Sequence, residues 1–410
     1  MSIETIRLAD RMQRIALSPT MKGTIEAEKM RRQGIDVVDL GAGEPDFPTP
    51  AHITAAAHAA LDAGFTKYTA NMGVMELREA VASRYLQDYG VRYLPDEVII
   101  TAGGKQALAH AAFALFQPGD EVITHAPGWP TIAEQIKLAG AAAVIVRARA
   151  ENGFALTADM FLAALTPRTR GIVINSPGNP TGALLSEADA RMLAAEAARR
   201  DLWVVIDLCY EKLIYNAVPH NLPAIFGEAM RDRLVLCGSA SKAYAMTGWR
   251  CGWAVGAKPL IQAANALQSH TTSNVNSITQ KAAVAALTGS QQCVTDMLEE
   301  YQRRRDQVIA WLAEEPRFRC AVPQGAFYLF PDVSDFLSPD GLRTSLDFAD
   351  ALLKKEHVVT TAGEAFDTPG FIRLSYATSL DRLREGVTRL IRFGDGAFSH
   401  SSGPRGDGGR

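Results

Sequence analysis

A chain of 410 residues, 47% hydrophobic and 21% charged, can bury more than one ordinary core, and those values argue against both disorder and a coiled coil. A net charge of −3, with no face-sized run of Lys and Arg, argues against nucleic acid as a partner. No apolar stretch reaches the ~20 residues that span a bilayer, and MSIETIRLADRM lacks the apolar core of a secretory signal, so no membrane partner and a cytoplasmic location are expected.

The first 50 residues read as an N-terminal arm that joins a small domain, and residues 51–290 as a large domain. From residue 95 onward, short β-rich runs alternate with Ala- and Leu-rich amphipathic stretches, the rhythm of a largely parallel sheet. The predicted strands are 97–101, 120–124, 142–146, 171–175, 202–207, 233–237 and 252–256. Helices such as 105–116 and 187–200 would cover the sheet on both faces. A long helical pattern near 291–315, then FYLFPDV, then a helix after Ser379 form an α+β block over 291–394. The last stretch, 395–410, has almost no apolar content and is expected to be a disordered tail. The five cysteines have neither CxxC nor His-paired spacing, so they read as reduced core thiols, with no metal site.

Polar residues of interest fall at the carboxyl ends of the strands, where open α/β sheets place their ligand crevice. Thr101-Ala102-Gly103-Gly104-Lys105-Gln106 opens a helix with small residues whose N–H groups suit an anion, although neither a Walker loop nor GxGxxG is present. A plain tight turn is an equal reading of that loop. In Asn175-Ser176-Pro177-Gly178-Asn179-Pro180-Thr181-Gly182 the prolines fix the backbone and put amide side chains at the sheet rim. Asp207 ends the apolar strand LWVVID, where a carboxylate is costly unless a cation or donors meet it. Tyr210 follows three residues later. The sharpest segment runs from Gly238 to Gly252: Lys242 follows Ser239 and Ser241, and Arg250 lies eight positions on.

In order and together, these motifs resemble those of the fold-type-I pyridoxal 5′-phosphate (PLP) enzymes, and within them the class I aminotransferases, from about Ser18 to Arg392. The resemblance implies an α/β fold: a large domain with a mostly parallel seven-stranded sheet flanked by helices, plus a smaller α+β domain. It implies that Lys242 binds PLP covalently and shuttles the substrate proton. Asp207 would pair with the ring nitrogen, and Tyr210 and Asn179 with the phenolic oxygen. Ser239, Ser241, Arg250, Gly103, Gly104 and Lys105 would surround the phosphate, and Trp129 would stack on the ring. Tyr68 and Ser273 would reach the phosphate from the neighbouring subunit of a homodimer. Arg373 in FIRLS would grip the substrate α-carboxylate by a bidentate pair, beside Gly43, Trp129 and Asn179.

No arginine occurs between Arg250 and Arg303, where some aspartate aminotransferases carry the one that reads the distal carboxylate. GGKQAL at 103–108 resembles another subgroup, active on aspartate and in some members on prephenate, in which the lysine takes that task helped by a threonine. Lys105 and Thr20 match those positions. The implied substrates are an amino acid, aspartate or glutamate foremost, and a 2-oxo acid. Prephenate or a specialised amino acid is the alternative, as is a PLP-dependent lyase or oxidase on the same scaffold. Gly128, Leu208-Cys209, Val275 and Asn71-Met72 depart from the subgroup near the crevice. A non-catalytic sensor half of a transcription regulator would want a basic helix-turn-helix domain, and only the 40 residues before Gly41 are available for one.

Overall fold

The computed structural model describes residues 22–398, together with Met12 and Ile15. All seven predicted strands form, in one sheet: β2 (Val98–Thr101), β3 (Glu121–Ala126), β4 (Ala142–Arg147), β5 (Thr169–Asn175), β6 (Trp203–Asp207), β7 (Leu234–Ser239) and β8 (Gly252–Gly256), preceded in the chain by the short β1 (Val38–Asp39). The sheet order is β2-β8-β7-β6-β5-β3-β4, and only β8 runs antiparallel to its neighbours.

Side-chain alternation explains why these strands are apolar almost throughout. Val204, Ile206, Ile172, Ile174, Leu234 and Leu236 enter one core. Their chain neighbours Trp203, Val205, Val173, Val235 and Cys237 enter a second core on the opposite face. Helices Gly104–Leu115 and Glu187–Arg199 lie within a residue or so of their predicted limits.

The C-terminal block carries β9 (Tyr328–Leu329), β10 (Val358–Val359), β11 (Thr361–Ala362) and β12 (Ile372–Ser375) with helices Ser345–Glu356 and Leu380–Phe398, and a third core takes side chains from β9, β10, β12 and both helices. β1 pairs in parallel with β10, which sets Val38 and Asp39 beside Val358 and Val359. β12 lies between β11 and β9, antiparallel to both. Tyr210, Leu213 and Tyr215, which sit mid-chain, also pack into this core. Helix Gln292–Leu312 sends Val294 into the sheet's core and Met297 into the C-terminal one, so it spans both. Residues 395–398, expected in the tail, continue the closing helix, and 399–410 lie outside the described residues.

Candidate active site

Strand register assembles the site. β5 and β6 end side by side, with Asn175 opposite Asp207, and β7 ends at Ser239 opposite Gly252 of β8. A cavity of about 580 Å³ opens over this edge, between the sheet and the C-terminal block, and Gly43, Gly104, Lys105, Trp129, Asn179, Asp207, Tyr210, Ser239, Ser241, Lys242, Arg250 and Arg373 all line it. Segments as distant in sequence as 43 and 373 are thus brought to one crevice.

Asp207 is 3% exposed, and Cys209 N–H donates to its Oδ1 at 3.0 Å. Burial pushes its carboxyl up to about 7, against the opposing effect of that hydrogen bond and of the Lys242 charge. Lys242 is half-buried, its Nζ donates to Gly43 O, and burial lowers its pKa. Nearby Arg373 and Arg250 add to that lowering, while Cys209 and Glu44 oppose it.

Arg373 stands on β12 and is 3% exposed. Nη1 donates to Asn179 Oδ1 at 3.0 Å, and Nη2 to Gly41 O at 2.7 Å and Thr361 Oγ1 at 3.4 Å. A guanidinium has five N–H donors, and the Nε–H of Arg373 is buried with no partner among the described residues. The fork is therefore held in place with donating capacity to spare, which suits a carboxylate. Tyr210 Oη lies 2.8 Å from Tyr328 Oη, and the Arg373 guanidinium sits 4.3 Å from the centre of the Tyr328 ring.

At the other end, Arg250 donates to Thr247 O at 2.8 Å and Ala102 O at 3.3 Å. Gly103 has φ +78°, where any other residue is strained, and a Cβ there would lie 2.5 Å from Arg250 Nη2 and push the guanidinium from its present place. Its own N–H is spent on Thr101 O at 2.7 Å, so Gly103 serves by the space it leaves. Gly104 and Lys105 open the helix behind it, where backbone N–H groups have no intrahelical acceptor. Ser239 Oγ and Ser241 Oγ lie 2.8 Å apart on the same rim. Lys105 Nζ is 5.0 Å from the centre of the Trp129 ring, and burial, then the Arg250 charge, lowers its pKa.

These residues fit the cofactor implied by the sequence. An anion cradle of Arg250, serines and a helix N-terminus suits a phosphate; a buried carboxylate with no ion pair among the described residues suits a ring N–H; and the Lys242 amine lines the same cavity. Of the remaining sequence candidates, Tyr68 is 90% exposed and Ser273 is exposed with φ 60°, and neither lines the cavity. Thr20 lies outside the described residues. The departures have visible places: Leu208 and Val275 are core, Cys209 lines the cavity, and Asn71 Nδ2 donates to Asn265 O at 2.9 Å. Tyr328, Glu44 and the Arg31–Asp39 ion pair at 3.2 Å also line the cavity. Arg31 and Glu44 fall in the stretches Arg31-Arg32-Gln33-Gly34 and GAGEPDFPTP (41–50), which resemble the same subgroup without pointing to a role for either residue, and nothing local marks Asp39 or Tyr328.

Residues 35–390 match the family described as aminotransferase class I and II. An aspartate/prephenate aminotransferase of Cereibacter sphaeroides is 42% identical over 392 residues, 94% of this chain and 98% of that one. An aspartate aminotransferase of Bacillus subtilis is 39% identical, covering 95% and 99%. The structure of an aspartate aminotransferase from Thermus thermophilus with maleate matches with TM-score 0.89 at 37% identity, covering 95% of this chain and all of that one. With its sheet order, its cavity and these relatives in agreement, the chain belongs to the class I and II aminotransferases of fold type I and is a PLP-dependent enzyme.

Proposed function

We propose that this enzyme moves the amino group between aspartate or glutamate and a 2-oxo acid. The observation that carries the reading is the set of three side-chain cations that line one cavity with their partners: Arg373 bonded to Asn179, Lys242 acting on the Asp207 carboxyl, and Lys105 over the Trp129 ring. Two cations for carboxylates and an amine lining one cavity suit a dicarboxylic amino acid. The relatives named as aspartate aminotransferases support the same substrate, and the Cereibacter relative keeps prephenate as a second reading.

PLP, when bound, supplies an electron sink for the pair left at the substrate Cα. Lys242 would hold it covalently and, once released by the incoming amine, carry the proton from Cα; the lowered pKa leaves more of it as free base near neutrality. Asp207 would keep the ring nitrogen protonated, which gives its buried carboxylate a cation. Tyr210 and Asn179 would donate to the phenolic oxygen, Ser239, Ser241, Arg250 and the Gly104 and Lys105 N–H groups would hold the phosphate, and Trp129 would cover the ring. Arg373 would fix the α-carboxylate, Gly43 would close the same side, and Lys105 would take the distal carboxylate. The kinetics would be ping-pong.

A homodimer with shared sites is part of the proposal. A groove of about 640 Å³ lined by Ala102, Arg250, Thr272, Asn274 and Val275 lies beside the phosphate partners, and Tyr68 is exposed. A second copy would cover this groove and bring Tyr68 and Ser273 to the neighbouring phosphate. Among the described residues no helix is long and apolar enough to cross a membrane, and the five free cysteines support a reducing compartment, the cytoplasm.

The test is a half-reaction screen that follows the visible band of the lysine-bound cofactor against a panel of amino acids. Aspartate and glutamate should convert it fastest. A preference for neutral donors would overturn the dicarboxylate reading.

A further inference from the structure

The loop that carries Trp129 and the loop that carries Asn179 leave neighbouring strands β3 and β5, and one imidazole lies between them. His125 is 6% exposed. Asn175 N–H, which can only donate, lies 3.3 Å from Nε2, so that nitrogen accepts and the ring proton sits on Nδ1, 3.0 Å from Pro127 O. Burial pushes the His125 pKa down to about 4, which keeps this neutral tautomer near pH 7.

Both ends of the imidazole lead on to functional groups. On one side, Asn179 N–H donates to Asn175 Oδ1 at 2.9 Å, and Arg373 Nη1 donates to Asn179 Oδ1 at 3.0 Å. On the other, Pro127 stands two residues before Trp129. Between them, a Cβ on Gly128 would lie 2.2 Å from His125 O, so the loop is drawn in against the histidine backbone as well.

We propose that His125 is a positioning residue that ties the ring-covering loop of Trp129 to the carboxylate clamp of Asn179 and Arg373. It is not among the residues that line the active-site cavity, although it borders an adjoining one that shares Lys105 and Trp129, and it acts through its two partners. A neutral imidazole offers one donor and one acceptor on opposite sides of a rigid ring, so a single side chain sets both loops relative to each other. The inference rests on the roles proposed above for Trp129 and Arg373.

The two bonds can be cut separately. His125→Asn keeps an N–H near the Nδ1 position and loses the acceptor; His125→Gln keeps an acceptor near the Nε2 position and loses the donor. Two binding constants are read at pH 7.5: PLP for the apo-enzyme, by tryptophan fluorescence, and succinate for the holoenzyme, by the shift of its visible band. His125→Asn should weaken succinate by about fivefold or more with PLP affinity unchanged, and His125→Gln should do the reverse, since each leaves one buried group unpaired. Asn175→Ala interrupts the line beyond the imidazole and should match His125→Asn; if neither histidine variant folds, it decides alone. Equal changes in both constants, or a lower melting temperature with both constants unchanged, would overturn the link. Arg373→Lys separates the failures. If it weakens succinate while His125→Asn does not, the link falls alone; if neither does, the clamp reading falls and the link with it.

Discussion

Arg373 Nη1 donates to Asn179 Oδ1 across 3.0 Å, joining the C-terminal β12 to the loop that follows β5. Arg373 also reaches Gly41 O, so three separate segments fix the guanidinium before a substrate arrives. Lysine cannot reproduce that fork. Arg373→Lys should cost about 2–5 kcal/mol in kcat/KM for every amino acid, since all carry the α-carboxylate. The check is kcat/KM for aspartate and for phenylalanine; a loss confined to aspartate would reassign Arg373 to the side chain.

Lys242→Ala should abolish transamination while leaving the fold intact, because the covalent anchor and the proton carrier are one residue. Borohydride reduction of the wild-type enzyme followed by peptide mapping reads the anchor directly. A pyridoxyl group on any other lysine refutes the assignment.

Asp207 makes the apo-enzyme sensitive to pH. Its carboxyl has an ordinary value of 3.8 and is raised to about 7 in the fold, so between those values the folded chain holds the extra proton and stability falls as pH rises. The loss from this group is on the order of 4 kcal/mol by pH 8. Asp207→Asn removes it, so the apo-variant should melt above the apo wild type at pH 8 and level with it near pH 4. Melting curves across that range test the sign; a wild type that gains on the variant as pH rises would contradict it.

Lys105→Met should remove about 2–4 kcal/mol of transition-state binding for aspartate, since the distal carboxylate would be left unpaired in the crevice. Alanine and phenylalanine should lose far less. If aspartate and the neutral donors fall by one factor, Lys105 supports the phosphate loop instead.

Shared sites predict rescue in hybrids. Lys242→Ala and Tyr68→Phe chains, mixed, should form dimers with one doubly defective site and one intact site. Activity above that of either parent supports the arrangement, and its absence argues that Tyr68 serves no partner.

Local pattern was enough to place the seven strands, because a sheet buried on both faces needs continuous apolar runs, as in WVVID and LVLCGS. It also put Lys242, Asp207 and Arg250 at or beside strand ends, where the folded chain has all three lining one cavity; their roles came from the resemblance. What the sequence could not supply was the set of neighbours. Tyr210 meets Tyr328 across 118 residues and Arg373 meets Asn179 across 194. Nor could it show that a Cβ at Gly103 would push the Arg250 guanidinium from its place, or that His125 faces two loops at once. A hydrogen bond or a steric limit acts over a few ångströms, and only the packing of the chain on itself decides which residues come that close. The raised carboxyl of Asp207 has the same origin: the strand pattern gave its position, but the burial that shifts it exists only once β5, β6 and β7 lie together under the cavity.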